Sequence, residues 1–366
     1  MSITVSALRE TAAGERRVAI TPEVAKKLRG KDVRVLLERG AGAAAGFPDQ
    51  LYTDVEFADA DSVLAQADLF TCVLPPDDSV WARLRDGVVV VGQLRPYGAA
   101  ARIVAMGKHR LTAFALELLP RTTRAQAMDV LSSQAAVAGY RAMLIAAEAS
   151  PKFFPMLTTA AGTIRPSRVL VIGAGVAGLQ AIATARRLGA QTEGYDVRPE
   201  TREQVESLGA KFIELGVSAA GSGGYARELT AEERAAQQQA LAEHLKSVDV
   251  IVATAAVPGR PSPKILTRAM VDGMKPGALI VDLAAEGGGN CELTRPGERV
   301  EHNGVVILGP LNLPAGAPLH ASEMYARNVY NFVELLVQGG TLAPDFNDEL
   351  VAKSCITRNG EPHFQG

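Results

Sequence analysis

The chain has 366 residues, of which 47% are hydrophobic and 21% charged, and its formal net charge is -2. This composition is that of a globular protein long enough for two domains, and the small net charge gives no reason to expect a nucleic-acid partner. The N-terminal segment carries charges where a signal peptide has its apolar core, and no segment approaches the roughly 18 uninterrupted apolar residues of a membrane span. The sequence therefore predicts a cytoplasmic protein without a span.

Cysteine and histidine usage gives no sign of a metal site. The cysteines, Cys72, Cys291 and Cys355, are odd in number and scattered, which suits reduced thiols better than a disulfide framework. The five histidines do not pair at the spacing that metal ligands show. We therefore expect neither disulfides nor a bound metal.

The first 119 residues alternate short apolar runs with helix-like segments. The runs are residues 3–7, 33–37, 69–73, 88–91 and 111–118. Strands that are buried on both faces and separated by helices predict a parallel sheet. Because this section of the chain has no glycine fingerprint, we expect a Rossmann-like partner domain rather than a nucleotide site.

A polar helix is predicted next, with helical spacing from Ala125 to about Ala147. Gln126, Asp129 and Ser133 are three or four residues apart and would share one face of it. A solvated helix face is the more ordinary explanation of this spacing. The position of the segment, directly before the nucleotide fold, instead favours a cleft between two domains, where cofactors of such proteins bind.

A glycine motif follows the apolar run 169–172. Gly173 allows a tight turn, Gly175 lets a pyrophosphate approach the backbone, and Gly178 lets the following helix lie close to the strand. A second short strand then ends in Asp196, at the distance where an acid accepts the hydroxyls of the adenosine ribose. Strand, turn, helix and acid together predict a dinucleotide site.

The charge of Asp196 predicts which dinucleotide binds. A carboxylate there would repel a 2'-phosphate, so the site is expected to prefer NAD(H) to NADP(H). Arg198 could reach such a phosphate, but we interpret it as a solvated loop arginine.

Three glycine-rich or strand-end loops follow the fingerprint. Residues 216–224 hold four glycines and lead into Tyr225, which predicts either a mobile flap with an aromatic handle or a disordered connector. Residues 255–259 follow a strand and are expected at the ligand-binding edge of the sheet. Residues 286–290 are predicted to be a flexible strand-end loop.

These observations predict an α/β protein with two Rossmann-like domains, which have parallel sheets and are separated by a cleft. The first domain is expected to be discontinuous, because residues 322–337 have the pattern of a long amphipathic helix that returns to it. The expected boundaries are residues 1–135 with 320–366 for the partner domain, and 136–319 for the NAD(H)-binding domain.

Several stretches together resemble the NAD(H)-binding domain I of proton-translocating NAD(P) transhydrogenases. The likeness spans nearly the whole chain, and its most specific feature is the loop with Arg121, Gln126 and Asp129. The matching stretches are residues 120–121, 124–134, 138–141, 173–179, 196–198, 223–226, 282–284 and 288–291.

The resemblance implies direct hydride transfer between NADH bound here and NADP+ bound on a separate domain III, coupled to proton movement through a membrane domain II. NADP(H) would bind the partner domain and not this chain. The resemblance also implies a homodimer, peripheral to the cytoplasmic face of the inner membrane through its partner subunits. Because no span is predicted, we expect the split form, in which domain I is a separate subunit.

The resemblance further implies roles for individual residues. Arg121, Gln126 and Asp129 would form the loop that positions the nicotinamide, with Ser132 beside it, and Tyr225 would lie on a loop that closes over the nucleotide. Contacts with NAD would come from Arg124, Gly173, Gly175, Val176, Gly178, Asp196, Val197, Arg198, Gly224, Gln237 and Ala256. Hydride transfer between two nicotinamides needs two aligned rings about 3 to 3.5 Å apart rather than a proton donor, so positioning residues suffice.

Alanine dehydrogenase is an alternative, since it has the same two-domain plan and shares the run 17–22. Oxidative deamination needs acid–base groups, which that family supplies with a lysine and a histidine. Residues 73–76 read VLPP here, with leucine in place of the lysine, and residues 92–96 contain no histidine. Arg17, which binds the substrate carboxylate in that family, is then interpreted as structural. A regulatory NAD-binding module without catalysis is a third possibility, which the positioning loop disfavours.

Overall fold

The computed structural model describes residues 2–216, 229–257 and 259–364. The chain divides into two compact units. The first consists of Met1–Gln134 and Pro314–Gly366, and is therefore discontinuous, and the second consists of Ala135–Leu313. The α/β class predicted from the sequence is confirmed.

The elements begin with β1 (Thr4–Ala7), α1 (Pro22–Arg29), β2 (Arg34–Glu38), β3 (Glu56–Ala58), α2 (Ala60–Gln66), β4 (Leu69–Cys72), α3 (Asp78–Trp81), β5 (Val89–Gly92), α4 (Ala100–Lys108) and β6 (Thr112–Ala115). Then follow α5 (Val130–Ala149), β7 (Leu157–Thr159), β8 (Gly162–Ile164), β9 (Arg168–Ile172), α6 (Val176–Arg187), β10 (Gln191–Tyr195), α7 (Thr201–Ser207), β11 (Lys211–Phe212), α8 (Ala231–Leu245), β12 (Val250–Ala253), α9 (Arg268–Asp272), β13 (Leu279–Asp282), β14 (Arg299–His302) and β15 (Val305–Leu308). The last elements are α10 (Pro318–Leu336), β16 (Val337–Gln338), β17 (Thr341–Leu342), α11 (Glu349–Ser354), β18 (Cys355–Arg358) and β19 (Glu361–Pro362).

The main sheet of the first unit has eight strands in the order β19-β18-β6-β5-β4-β1-β2-β3. β1 to β6 pair in parallel, and β18 and β19 extend the sheet with antiparallel pairing. β4 and β5 are buried at every residue, as expected for a sheet that helices cover on both faces. The parallel sheet is therefore confirmed, and the antiparallel edge is an addition that the apolar runs do not predict.

Helix α10 makes the first unit discontinuous, because its apolar face completes that unit's core. Val329, Phe332 and Leu336 recur at helical spacing and are buried with strand residues of the first sheet. The hydroxyl of Tyr325 donates to the carbonyl of Cys72, 2.7 Å away, and accepts from the N–H of Gln93 at 3.0 Å. The returning helix thus joins the ends of two neighbouring strands.

The second unit has a seven-stranded sheet in the order β11-β10-β9-β12-β13-β15-β14. All pairs are parallel except β14 with β15. Numbered within the unit, the six parallel strands follow the order 3-2-1-4-5-6, which is the order of dinucleotide-binding sheets. In such sheets a ligand binds at the carboxyl ends of the strands where the order reverses, here at β9 and β12.

The predicted start of the long polar helix is wrong. Residues Thr123–Met128 form a 3-10 turn, and α5 begins only at Val130. Asp129 ends the turn, and its carboxylate accepts the N–H of Ser132 at 2.8 Å, as a helix N-cap does. Gln126 and Asp129 therefore do not share one face of a continuous helix.

Among the described residues, α5 is the helix long and apolar enough to cross a membrane by length and composition alone. Ala142, Met143 and Ala146 of α5 are buried in the core of the second unit with residues of β9 and β12. Core helices pass the same test, so a single helix of this kind is weak evidence for a span.

An acidic side chain is enclosed at the end of β4. Glu10 accepts hydrogen bonds from the N–H groups of Val73 at 2.6 Å and Leu74 at 3.3 Å. Burial raises the pKa of Glu10 from 4.5 to about 7, and the charge of Glu15 raises it further, against the lowering effect of the two N–H donors and Arg17. The folded chain therefore favours the protonated carboxyl.

Replacing Glu10 by glutamine should flatten the pH dependence of stability. The raised pKa means that the protonated carboxyl contributes stability that is fully present below pH 4.5 and lost as the pH rises through about 7. Relative to Glu10→Gln, the free energy of unfolding of the parent should fall over this window by up to about 1.4 kcal/mol per pH unit. Urea unfolding of both proteins at several pH values measures the difference, and parallel curves would contradict the assignment.

Candidate functional site

The glycine turn after β9 is held by main-chain and threonine contacts. Gly173 has a φ of +94°, a conformation that residues with a side chain rarely adopt. Its N–H donates to the carbonyl of Tyr195 at 2.8 Å, and its carbonyl accepts the hydroxyl of Thr254, also at 2.8 Å. The turn is thus tied to both neighbouring strands of the sheet.

The other two glycines of the fingerprint differ in what surrounds them. A Cβ on Gly178 would lie 1.8 Å from the carbonyl oxygen of Gly173, so any side chain would push α6 away from the turn. A Cβ on Gly175, the N-cap of α6, would meet no described atom within 4 Å. Val176, at the first helical position, is 43% exposed. The N–H groups at the start of α6 therefore face open space, which suits an anion.

Helix α5 fixes α6 from the side. A Cβ on Gly139 would lie 2.0 Å from the carbonyl oxygen of Ala177, so the two helix backbones approach as closely as they do only because residue 139 is glycine. The sequence places Gly139 in a stretch with a family likeness but assigns it no role. Its role in the structure is to support the first turn of α6.

Asp196 and Arg198 form a close pair after β10. The Oδ1 atom of Asp196 accepts the main-chain N–H and the Nε–H of Arg198, both at 2.9 Å. Its Oδ2 atom accepts a terminal guanidinium N–H of Arg198 and the main-chain N–H of Ala174, both at 2.7 Å. The side chains of Asp196 and Arg198 are only 6% and 16% exposed, respectively.

The interpretation of Arg198 as a solvated loop arginine is wrong. The turn after β10 returns the side chain of residue 198 to the carboxylate two positions earlier, and the fork of a guanidinium matches both carboxylate oxygens. The carboxylate is therefore charge-paired within the protein, and simple repulsion of a 2'-phosphate is an incomplete account of nucleotide choice.

Gln237 and Val197 lie in the second unit near the end of β10. The amide Nε2 of Gln237 donates to the hydroxyl of Tyr195 at 2.7 Å, and the glutamine is buried. Burial raises the pKa of the Tyr195 phenol, and the hydrogen bond from Gln237 lowers it. Val197 packs partly buried against the same core. Gln237 thus anchors α8 to the strand that leads to Asp196.

The loop after β12 is clamped by a buried asparagine. Asn290 accepts the N–H of Ala255 at 3.0 Å and donates to the carbonyls of Ala255 at 2.7 Å and Pro263 at 2.9 Å. Asn290 is fully buried, whereas Ala256 is exposed. The clamp presents Ala256 at the carboxyl edge of the sheet, next to the reversal in strand order.

The prediction that residues 286–290 are flexible is wrong. Gly289 has a φ of +83°, and a Cβ there would lie 2.7 Å from the Oδ2 atom of Asp282. That oxygen also accepts the N–H of Cys291 at 3.0 Å and the hydroxyl of Thr294 at 2.6 Å. The glycines allow a close approach to a buried carboxylate rather than motion.

The polar loop before α5 belongs to the first unit. The carboxylate of Asp129 accepts the N–H of Ser132 at 2.8 Å and its hydroxyl at 2.5 Å. Arg124 forms an ion pair with Asp348, the N-cap of α11. Arg121 and Gln126 are exposed.

Two asparagines of α10 hold this loop, and sequence reasoning missed both. The side-chain amides of Asn328 and Asn331 each donate to the carbonyl of Ala127 at 2.8 Å. Asn290 is named by the sequence only within a matching stretch. These contacts join residues far apart in the chain, and no local spacing rule predicts them.

The structure thus brings the sequence-predicted residues into two groups. Gly173, Gly175, Val176, Gly178, Asp196, Val197, Arg198, Gln237 and Ala256 belong to the second unit, and Arg121, Arg124, Gln126, Asp129 and Ser132 to the first. Gly224 and Tyr225 lie outside the described residues.

Within the portion of the chain that the structure describes, no group of three or more histidine, cysteine and acidic side chains could hold a metal ion. Cys72, Cys291 and Cys355 are buried free thiols.

The sheet order, the open start of α6 and the acid after β10 define a dinucleotide-binding α/β protein. Family models described as "Alanine dehydrogenase/PNT, N-terminal domain" and "Alanine dehydrogenase/PNT, C-terminal domain" match residues 6–138 and 142–365. The chain belongs to the alanine dehydrogenase/PNT family.

Within this family the chain is similar to transhydrogenase subunits. It is 44% identical to the first of the two polypeptides that make up the NAD(P) transhydrogenase alpha subunit of Rhodospirillum rubrum, over 96% of this chain and 95% of that protein. The crystal structure of transhydrogenase from Sinorhizobium meliloti is 43% identical, with a TM-score of 0.90, and covers 98% of this chain and 99% of that one. The alanine dehydrogenase of Mycolicibacterium smegmatis is 26% identical, over 95% of this chain and 91% of that protein. The family resemblance found in the sequence is confirmed.

Alanine substitutions at two neighbouring glycines should separate folding from nucleotide binding. Gly178→Ala forces a Cβ against the Gly173 carbonyl and should destabilise the chain by about 1 to 3 kcal/mol. Gly175→Ala meets no described atom and should unfold like the parent, but its methyl group would keep a pyrophosphate from the start of α6 and lower NADH affinity at least about tenfold. Thermal unfolding and NADH titration distinguish the two effects, and unchanged NADH affinity of Gly175→Ala would refute the site.

Proposed function

We propose that this chain is the NAD(H)-binding component of a proton-translocating NAD(P) transhydrogenase. It transfers hydride directly between NADH bound here and NADP+ bound on a separate domain III, and a membrane domain II couples the reaction to proton movement. The observation that carries the proposal is the open N-terminus of α6 beside Asp196, at the reversal of the sheet order. The similarity to transhydrogenase alpha subunits over nearly the whole chain selects the reaction.

The nucleotide lies with its pyrophosphate at Gly173, Gly175 and Gly178 and its adenosine ribose at Asp196. Val176, exposed at the first position of α6, contacts it from the apolar side. The remaining contacts are proposed from the resemblance and are Arg124, Val197, Arg198, Gly224, Tyr225, Gln237 and Ala256. Gly224 and Tyr225 would belong to the segment that closes over bound nucleotide.

Positioning of the nicotinamide falls to the loop before α5. Direct hydride transfer needs no acid or base on the protein, only two rings in contact and aligned. The hydrogen bonds of Asn328 and Asn331 to Ala127 fix the loop on one side, and those of Ser132 to Asp129 fix it on the other. Gln126 is exposed between them, and its amide can pair with the ring carboxamide. Arg121 flanks the same loop.

Two observations weigh against alanine dehydrogenase activity. Leu74 occupies the position that resemblance assigns to a catalytic lysine, and its N–H is bonded to Glu10. The guanidinium of Arg17 donates to both oxygens of Glu15, at 2.9 and 2.7 Å, and to the amide oxygen of Gln134 at 2.8 Å. An arginine bonded on all sides within the protein is poorly placed to bind a substrate carboxylate.

The partner subunits and the homodimer belong to the same proposal. The chain is proposed to be cytoplasmic and to attach to the inner membrane only through domain II. An exposed apolar hairpin, β7–β8 with the residues before it, supports self-association, because exposed apolar clusters usually mark interfaces. Its exposed apolar side chains are Phe153, Met156, Leu157 and Ile164.

A variant of the positioning loop should separate hydride transfer from binding. Gln126→Ala removes the amide proposed to align the ring and should lower the rate of hydride exchange between NADH and an NADP+ analogue, in the presence of a domain III partner, by about 10- to 100-fold. Its dissociation constant for NADH should change less than about threefold. Gln204→Ala, at an exposed glutamine of α7, is the matched control and should keep the parent rate.

Two results would count against the proposal. A folded parent chain that binds NADH but gives no exchange with any domain III partner would leave an NAD-binding module without this catalysis. Turnover of L-alanine with NAD+ by the chain alone would instead favour the alanine dehydrogenase alternative.

Charge on the hairpin should disrupt the homodimer. Met156 is 65% exposed, and Met156→Glu combined with Ile164→Glu should convert the dimer to monomers at micromolar concentration, because a buried unpaired carboxylate is costly. Leu51→Glu, at a 54% exposed leucine of the first unit, is the control and should leave the mass unchanged. Sedimentation equilibrium measures both, and a dimer that survives the hairpin substitutions would exclude this surface.

A further inference from the structure

The carboxylate of Asp196 has no acceptor position to spare. Each carboxylate oxygen offers about two lone pairs, and the carboxylate as a whole offers about four. Oδ1 accepts two N–H groups of Arg198 at 2.9 Å, and Oδ2 accepts one from Arg198 and one from Ala174 at 2.7 Å. A ribose diol that binds this carboxylate must therefore displace donors that are already present.

Two of the four donors are fixed in the fold. The N–H of Ala174 lies in the turn set by Gly173, whose own N–H is bonded to Tyr195. The main chain at Arg198 is held by Thr201, whose N–H and hydroxyl both donate to the Arg198 carbonyl, at 3.3 and 2.8 Å. The guanidinium is at the end of a flexible side chain, so its two donors are the ones that can leave.

The guanidinium and the diol offer equivalent donors. Nε of Arg198 bonds one carboxylate oxygen and a terminal nitrogen bonds the other, so the pair presents two adjacent hydrogens to the two oxygens. The vicinal hydroxyls of a ribose also present two adjacent hydrogens. We propose that the Arg198 guanidinium occupies the adenosine-ribose position and must swing away when NADH binds, an inference that rests on the proposed function.

This displacement makes Arg198 a specificity-determining residue. It weakens NADH binding, because two charge-assisted hydrogen bonds break before the ribose can bond Asp196. It favours NADPH, because the displaced guanidinium is available to a 2'-phosphate that Asp196 would otherwise repel. Arg198 therefore narrows the preference that the acid alone would give.

The test measures the affinities of the full chain for NADH and NADPH by calorimetry. Arg198→Ala should bind NADH roughly 3- to 10-fold more tightly than the parent and NADPH at least about threefold more weakly. Arg198→Lys, which keeps the charge but cannot span both oxygens, should fall between the parent and Arg198→Ala for NADH. Arg202→Ala removes a more exposed arginine four residues further along, which pairs with Glu214, and should leave the ratio of the two affinities unchanged.

A second readout follows the guanidinium itself. In the nitrogen–proton NMR spectrum of the parent, the Nε–H signal of Arg198, assigned by its loss in Arg198→Lys, should be protected from exchange in the free chain. It should broaden or exchange faster once NADH is bound. This measurement does not depend on how the variants fold.

The outcomes separate the two proposals. Failure of the folded parent to bind NADH would overturn the proposed function and the displacement with it. Normal NADH binding by the parent, with equal or weaker binding by Arg198→Ala, would overturn the displacement alone. So would an Arg198 Nε–H signal that stays protected in the NADH complex, or an Arg202→Ala variant that reproduces the effect as a general loss of charge.

Discussion

The nucleotide site depends on how closely α6 approaches the turn that precedes it. The carbonyl of Gly173 lies where a Cβ of residue 178 would be, so the helix reaches the end of β9 only because that residue is glycine. Gly139 allows the same closeness between α5 and α6. Since the start of α6 is fixed by these two contacts, its open N–H groups can point at one place. An anion-binding helix end is useful only when it is held in this way.

Around this end the fold adds groups that act at a distance along the chain. Asn290 clamps the loop after β12, and Gln237 joins α8 to the strand that leads to Asp196. In the first unit, Asn328 and Asn331 hold the loop that carries Gln126. The residues proposed to touch nucleotide are therefore supported by side-chain amides, which form hydrogen bonds without adding charge.

The features of this organisation that follow local rules could be predicted from the sequence. Buried apolar runs predict the parallel sheets, and the glycine spacing predicts the turn, because each depends on residues within a few positions. The start of α5 could not be predicted from apolar spacing, since the cap formed by Asp129 with Ser132 decides it. Glycines 287–289 suggested motion, but the third of them makes room for Asp282. The burial of Arg198 depends on the shape of one turn, which composition does not reveal.

The same residues distinguish this chain from relatives that share its fold. L-alanine dehydrogenase superposes with a TM-score of 0.82 at 22% identity, so the architecture alone does not select a reaction. What differs is the chemistry at particular positions, with Leu74 at one and an internally bonded Arg17 at another. A chain without acid–base groups at those positions is suited to a reaction that needs alignment only.

Isotope tracing tests direct transfer most directly. The chain would be mixed with an NADP-binding domain III, NADP+ and NADH that carries deuterium at the transferred position of its C4 carbon, and the mass of the NADPH formed would be measured by mass spectrometry. Direct hydride transfer predicts that nearly all the product carries one deuterium. Product that carries hydrogen from the solvent instead would contradict the account, because the hydride would then have passed through an exchangeable group.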